Sequence, residues 1–114
     1  MPNSLSSSGG LAVEIDGVAR RLADVVGRPL TPAPVVTPVP LAPVTLIGLA
    51  QVDGEVVPVL RPGGIVRDES AILVETTLGR VILICGRVLP NDTEGTMPLF
   101  VEPLVEALRH SVRG

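Results

Sequence analysis

Apolar and polar positions along the chain change period several times, and the changes mark short elements. From Leu11 to Leu22, "LAVEIDGVARRL", two brief apolar-alternating runs flank Asp16-Gly17. An Asp-Gly pair between such runs favours a type I′ hairpin turn, because both central residues take positive φ. Leu46–Val52, Asp53-Gly54 and Glu55–Leu60 repeat the pattern with flanks richer in Val, Leu and Ile. A third pair reads as Ala71–Thr77, a turn at Leu78-Gly79, and Arg80–Val88, whose almost wholly apolar sequence predicts a strand buried on both faces.

Between and after these hairpins the pattern is weaker. Ala23–Gly27 reads as a single helical turn ended by Gly27, with Val25 and Val26 facing inward. Arg28–Pro43 holds Pro29, Pro32, Pro34, Pro38, Pro40 and Pro43 and must run extended as a connector or an edge, since proline has fixed φ and no N–H to donate. Val35, Val36, Val39 and Leu41 sit between those prolines, so the strip is expected to lie on the protein with its apolar side chains buried. Pro58 requires a place in its strand where no ladder N–H is needed, which predicts a free edge nearby.

Arg61–Ser70 and Pro90–Gly95 read as polar loops, and Met97–Val101 as a last short strand. Pro103 suits a first helical turn. After it, Leu104, Val105, Leu108 and Val112 recur at helical spacing, with Glu106 and Arg109 facing away. Arg109, His110 and Arg113 complement the negative end of that helix. Residues 1–10 are Ser- and Gly-rich and predict a disordered tail, leaving 11–114 as a single domain.

Composition supports a mainly β reading. The 114 residues include 12 Gly and 12 Pro, one Phe and neither Trp nor Tyr, so the core is built from β-branched and small aliphatic side chains. Net charge is −3, and the basic residues are scattered arginines that form no stripe for a phosphate backbone, which argues against nucleic acid. No window approaches a membrane-spanning run and the first residues do not resemble a signal peptide, so a cytoplasmic protein without membrane insertion is expected.

Candidate chemistry is sparse. One His and one Cys cannot furnish a metal site, and neither metal nor cofactor is expected. Cys85 lies in "VILICGRV" and reads as a small core residue. His110 falls on the outer side of the terminal helix, and no nucleophile elbow or phosphate loop is present. Asp16 and Asp53 could form the carboxylate pair of a small β-barrel hydrolase. However, each is followed directly by Gly rather than by the hydroxyl residue of an Asp-Thr/Ser-Gly motif, so both read as turn residues bonding their own backbone. What remains is surface, which points to a noncatalytic interaction module; a ligand-binding barrel is the other non-enzymatic alternative.

The stretch from Thr37 to Leu60, "TPVPLAPVTLIGLAQVDGEVVPVL", resembles the CheW family, the adaptors that couple chemoreceptors to the histidine kinase CheA in bacterial chemotaxis. Pro38 and Pro43 match the family's prolines, Gly48 its glycine, Val52-Asp53-Gly54 its Leu-Arg-Gly, and Val56–Val59 the strand after it. "VEIDGVARRLADVV" is similar to the family's first hairpin, "AILVETTLGRVILICGRV" to its later hairpin, and "MPLFVEPLVEAL" to its final strand and helix.

The resemblance implies small SH3-like β-barrels side by side with a C-terminal α-helix. The second barrel is reduced, because only a short loop stands between Val88 and Met97. It further implies an adaptor that contacts a CheA-type regulatory domain and a chemoreceptor cytoplasmic tip through Val25, Asp53, Val56 and Val57, with homo-oligomerisation through an exposed strand edge as a further possibility. That edge, left by the reduced barrel, is expected to be covered by the proline strip or by a second subunit. Asp53 stands where the family carries Arg, and Arg61 where it carries an acidic residue. A divergent module in a non-chemotaxis signalling system is therefore the alternative within the same class.

Overall fold

In the computed structural model, which describes residues 10–39 and 46–113 with side chains through 108, the described residues form nine strands and one helix. Chain order is β1 (Ala12–Ile15), β2 (Val18–Leu22), β3 (Val26–Leu30), β4 (Leu46–Val52), β5 (Glu55–Leu60), β6 (Ser70–Thr76), β7 (Gly79–Cys85), β8 (Val88–Leu89), β9 (Met97–Leu99) and α1 (Glu102–Arg113). These make a four-stranded sheet, β8-β1-β2-β9, and a five-stranded sheet, β3-β6-β7-β5-β4. The mainly β class read from the sequence is the one observed.

Both Asp-Gly pairs are hairpin turns with positive φ at both residues: 52° and 77° at Asp16-Gly17, 53° and 81° at Asp53-Gly54. The third turn falls one residue earlier than expected, at Thr77-Leu78, with Thr76 facing Gly79. Gly79 takes the positive φ, and the Thr76 hydroxyl closes the turn by donating to the Gly79 carbonyl at 2.7 Å while accepting from Leu78 N–H at 3.0 Å. Neither Thr77 nor Leu78 needs a positive φ here, so the turn tolerates ordinary residues.

The second arm of that hairpin is shorter than its hydrophobic run. At Gly86 the chain leaves the large sheet and joins the small one: Gly86 N–H donates to Glu14 C=O at 2.7 Å, and Glu14 N–H to Arg87 C=O at 2.9 Å. A Cβ on Gly86 would lie 2.8 Å from the Glu14 carbonyl oxygen, so glycine permits the crossing. β8 then pairs with β1, and β9 pairs in parallel with β2.

Alternation along β6 and β7 divides the core in two. Ile72, Val74, Val81, Leu83 and Cys85 join Val13, Ile15 and Leu22 of the small sheet and Val105 and Leu108 of α1 in one cluster. Ala71, Leu73, Ile82 and Ile84 join Ala50, Val52, Val57 and Val59 in the other, with Leu30, Val36 and Ile47 packed against it. The expectation of a β7 arm buried on both faces holds from Val81 to Cys85.

Other expectations need correction. Ala23–Gly27 is a bend entering edge strand β3 and not a helical turn; Val25 packs on the main cluster, but Val26 is exposed. Asp24 serves a helix elsewhere in the chain. Its two carboxylate oxygens accept the Val101 and Glu102 N–H groups at 2.9 and 3.0 Å, capping α1 from 77 residues away. The last strand stops at Leu99, and α1 buries Val105 and Leu108 as the spacing predicts. The parts assigned to Val112, Arg109, His110 and Arg113 lie outside the described side chains. Gly10, placed in the tail, accepts a bond from Arg21 Nη1 at 3.0 Å; the rest of the tail lies outside the described residues.

The reduced second sheet is closed by one side chain. Residues 90–96 contain no strand and connect β8 to β9, which lie on opposite sides of the β1–β2 hairpin. Arg21, on β2, donates to the carbonyls of Asn91 and Thr93 at 3.0 and 3.1 Å and contacts Thr96 Oγ1 at 3.4 Å, besides Gly10. The sheet's edge strands are only two and three residues long, which leaves little backbone open to pairing.

Candidate interaction face

The proline strip lies against the large sheet, not against the reduced one. Thr37 bridges Leu49 on β4 with two backbone bonds, Thr37 N–H to Leu49 C=O at 2.7 Å and Leu49 N–H to Thr37 C=O at 2.9 Å. The approach depends on Gly48: a Cβ there would collide with the Thr37 carbonyl oxygen and sit 2.6 Å from Val36 Cγ1. The β4–β5 register slips between Leu46 and Gly48, a bulge at the same place.

Alternate residues of an extended chain turn their N–H groups to opposite sides. Thr37 faces β4, so its neighbour Pro38 would have aimed a donor at the open side, and it has none. The strip therefore covers the edge of β4 and offers a blunted edge of its own. The same alternation explains Pro58. Leu49 gives its N–H and C=O to Thr37, so the opposite Leu49–Pro58 pair is non-hydrogen-bonded and demands nothing of the proline. β5 is nonetheless an interior strand; its parallel pairing with β7 covers only Val59 and Leu60, beyond Pro58.

Side chains follow the backbone. Val36 packs toward the inner cluster, while Val35 is 87% exposed, against the expectation that the strip's apolar residues are buried together. Val39 is half-buried, and Leu41 lies outside the described residues. On the outer face, Thr37, Leu49 and Pro58 form one cross-strand row. Gln51 and Val56 form a second, which the strip prolongs with Val35. Pro34, Val35, Thr37, Leu49, Gln51 and Val56 enclose a shallow groove of ≈ 570 Å³. Val56 is 57% exposed within it.

The four residues singled out for partner binding thus have different surroundings. Val56 sits on this face, and Asp53 lies exposed at the tip of the same hairpin, two residues from Gln51. Val57 does not reach the surface: it is 1% exposed and belongs to the inner cluster, because adjacent strand residues point to opposite faces. Val25 is half-buried against the main cluster. Sequence reasoning missed Val35, Leu49 and Gln51; the hairpin alternation alone would have put Leu49 and Gln51 on the same side as Val56.

The two turn aspartates are not brought together as a catalytic pair. Asp16 belongs to the small sheet, and its Oδ1 accepts the Gly64 N–H at 2.8 Å, fixing the Pro-Gly-Gly loop rather than its own turn. That loop is also clamped at its ends, where Arg61 donates to both Glu69 oxygens at 2.8 and 2.9 Å. Asp53 belongs to the large sheet. Cys85 is buried, and loss of solvent with the negative charge of Glu69 pushes its thiol up to about 12, so it stays protonated and unreactive at neutral pH. Among the described residues there is no group of His, Cys, Asp and Glu able to hold a metal ion. Among them, no helix is long and apolar enough to cross a membrane.

The architecture is a small β fold of the SH3-like kind, with one five-stranded and one reduced four-stranded sheet and a C-terminal helix. Its arrangement is similar to that of the scaffolding protein TtCheW from Thermoanaerobacter tengcongensis, with a TM-score of 0.55 and 19% sequence identity over 70% of this chain and 62% of that one. The fold is thus CheW-like, and this chain spans less than two thirds of the length of that scaffold. No family model and no curated sequence matches the chain.

Proposed function

We propose that this protein is a noncatalytic CheW-like adaptor that couples chemoreceptors to a CheA-type histidine kinase in a cytoplasmic signalling assembly. The likeness in fold to a scaffolding protein carries the reading. It is supported by the outer face of β4 and β5, where exposed Val35, Leu49 and Val56 surround a groove with no charged lining residue among the described residues. Apolar anchors of this kind dominate the energetics of protein interfaces. Val56 and Leu49 are the contact residues in this reading, Asp53 sets the charge beside them, and Val57 supports the strand from beneath.

Pull-down of the purified chain with a receptor signalling tip and with a CheA-type regulatory domain tests it: retention of at least one is expected, and binding to neither contradicts it. One observation favours a second reading, a divergent module in another signalling system: Asp53 is exposed where the resemblance calls for Arg. If Asp53→Arg creates binding to an ordinary receptor tip that the wild type lacks, the charge reversal is what separates the two systems.

A further inference from the structure

We propose that residues 33–39 are a strap that swings off β4 while both sheets stay folded, and that its release dismantles the outer face. Among the described residues, the strap's backbone is tied down by two hydrogen bonds, both to Leu49. Val35 and Val39, which the alternation also turns toward β4, add no further backbone bond among the described residues. Pro34, Val36 and Val39 are half-buried, and of these Val36 packs on the inner cluster, while Val35 and Pro38 are exposed. Beneath it lies Gly48, which contributes no side chain to grip.

β6 and β7, by contrast, face each other through seven residue pairs and bury side chains on both faces. Segments with few buried apolar contacts and few backbone bonds open at the low end of a protein's range of local stabilities. The strap is such a segment, set against one of the most deeply buried parts of the chain.

Opening has two structural consequences. Val35 and Thr37 leave the two rows of the groove, and the Leu49 N–H and C=O become an unpaired edge. The functional part of the inference rests on the adaptor reading: a partner docking on the complete face binds the closed state alone, and its apparent affinity scales with the closed fraction. The strap would then act as a built-in limiter of docking.

Native-state hydrogen exchange on the isolated, full chain tests the strap without any partner. The amides of Thr37 and Leu49 should exchange at least about tenfold faster than the slowest amides of β6 and β7. Equal rates would overturn the proposal, because the strap would then open only with global unfolding. A Thr37→Cys, Leu49→Cys pair, on facing residues within disulfide reach, should on oxidation slow the position-49 amide toward the β6–β7 rate. An unchanged rate in the oxidised form would also count against it. Either result leaves the adaptor reading to be judged by the pull-down.

Discussion

The two Asp-Gly hairpins are written in nearly the same local code and have opposite fates. In β1–β2, Val13, Ile15 and Leu22 face the main cluster, and the opposite side carries Arg21 and its hydrogen bonds to the loop that closes the small sheet. In β4–β5, one side feeds Ala50, Val52, Val57 and Val59 into the inner cluster, and the other leaves Leu49, Gln51 and Val56 in the open. Asp16 is bonded to a neighbouring loop, whereas Asp53 stands at an exposed tip. Turn chemistry thus makes the hairpin, and what the rest of the chain lays over it decides whether it is framework or surface.

Truncation separates the two hairpins most strongly. Leu22→Ala should cost about 2–5 kcal/mol in denaturant unfolding, since it empties a fully buried site between the sheets. Leu49→Ala should stay within about 0.5 kcal/mol, as a surface change. Comparable losses would mean that the outer face is packed in the free protein.

Arg21→Met should come next, at about 1–2 kcal/mol, because it leaves the carbonyls of Asn91, Thr93 and Gly10 without their shared donor. The neighbouring Arg20 gives a control of the same chemistry. Its Nε is buried without a hydrogen-bond partner, which offsets the bond from Nη2 to Pro98 C=O, so Arg20→Met should fall within about 0.5 kcal/mol. A larger loss at Arg20 than at Arg21, read from the same unfolding curves, would reverse the assignment of the closing residue.

The turn residues give the smallest effects. Asp16→Gly, which keeps the turn's positive φ without strain, should destabilise by about 1 kcal/mol through the lost bond to Gly64, and should raise hydrogen exchange in the Pro-Gly-Gly loop. Asp53→Asn should change thermal stability by no more than about 0.5 kcal/mol, since its turn conformation is equally open to Asn. A destabilised Asp53→Asn would show that this tip carries structure as well as surface.

Hairpins were legible in the sequence because their signals are local: Asp-Gly supplies positive φ, and alternation supplies the faces. The crossing at Gly86 was hidden because the apolar run "VILIC" leads straight into it, and only the nearby Glu14 carbonyl shows why a glycine stands there. Asp24 as a helix cap was equally hidden, its partners lying 77 and 78 residues away. At the face, Val56 and Asp53 could be named from the hairpin itself. Strand alternation turns Val57 from that face into the inner cluster, and Val35 reaches the face only because the proline strip covers the edge of β4. Pattern fixes what a residue does within its own element; pairing between distant elements fixes what that element does for the protein.

The most direct test of the account is an amide and methyl NMR titration of the chain with a CheA-type regulatory domain and, separately, with a receptor signalling tip. Resonances of Val35, Thr37, Leu49, Gln51 and Val56 should shift together with at least one partner, while those of β1 and β2 stay in place. Shifts confined to the β1–β2 hairpin, or none with either partner, would contradict it.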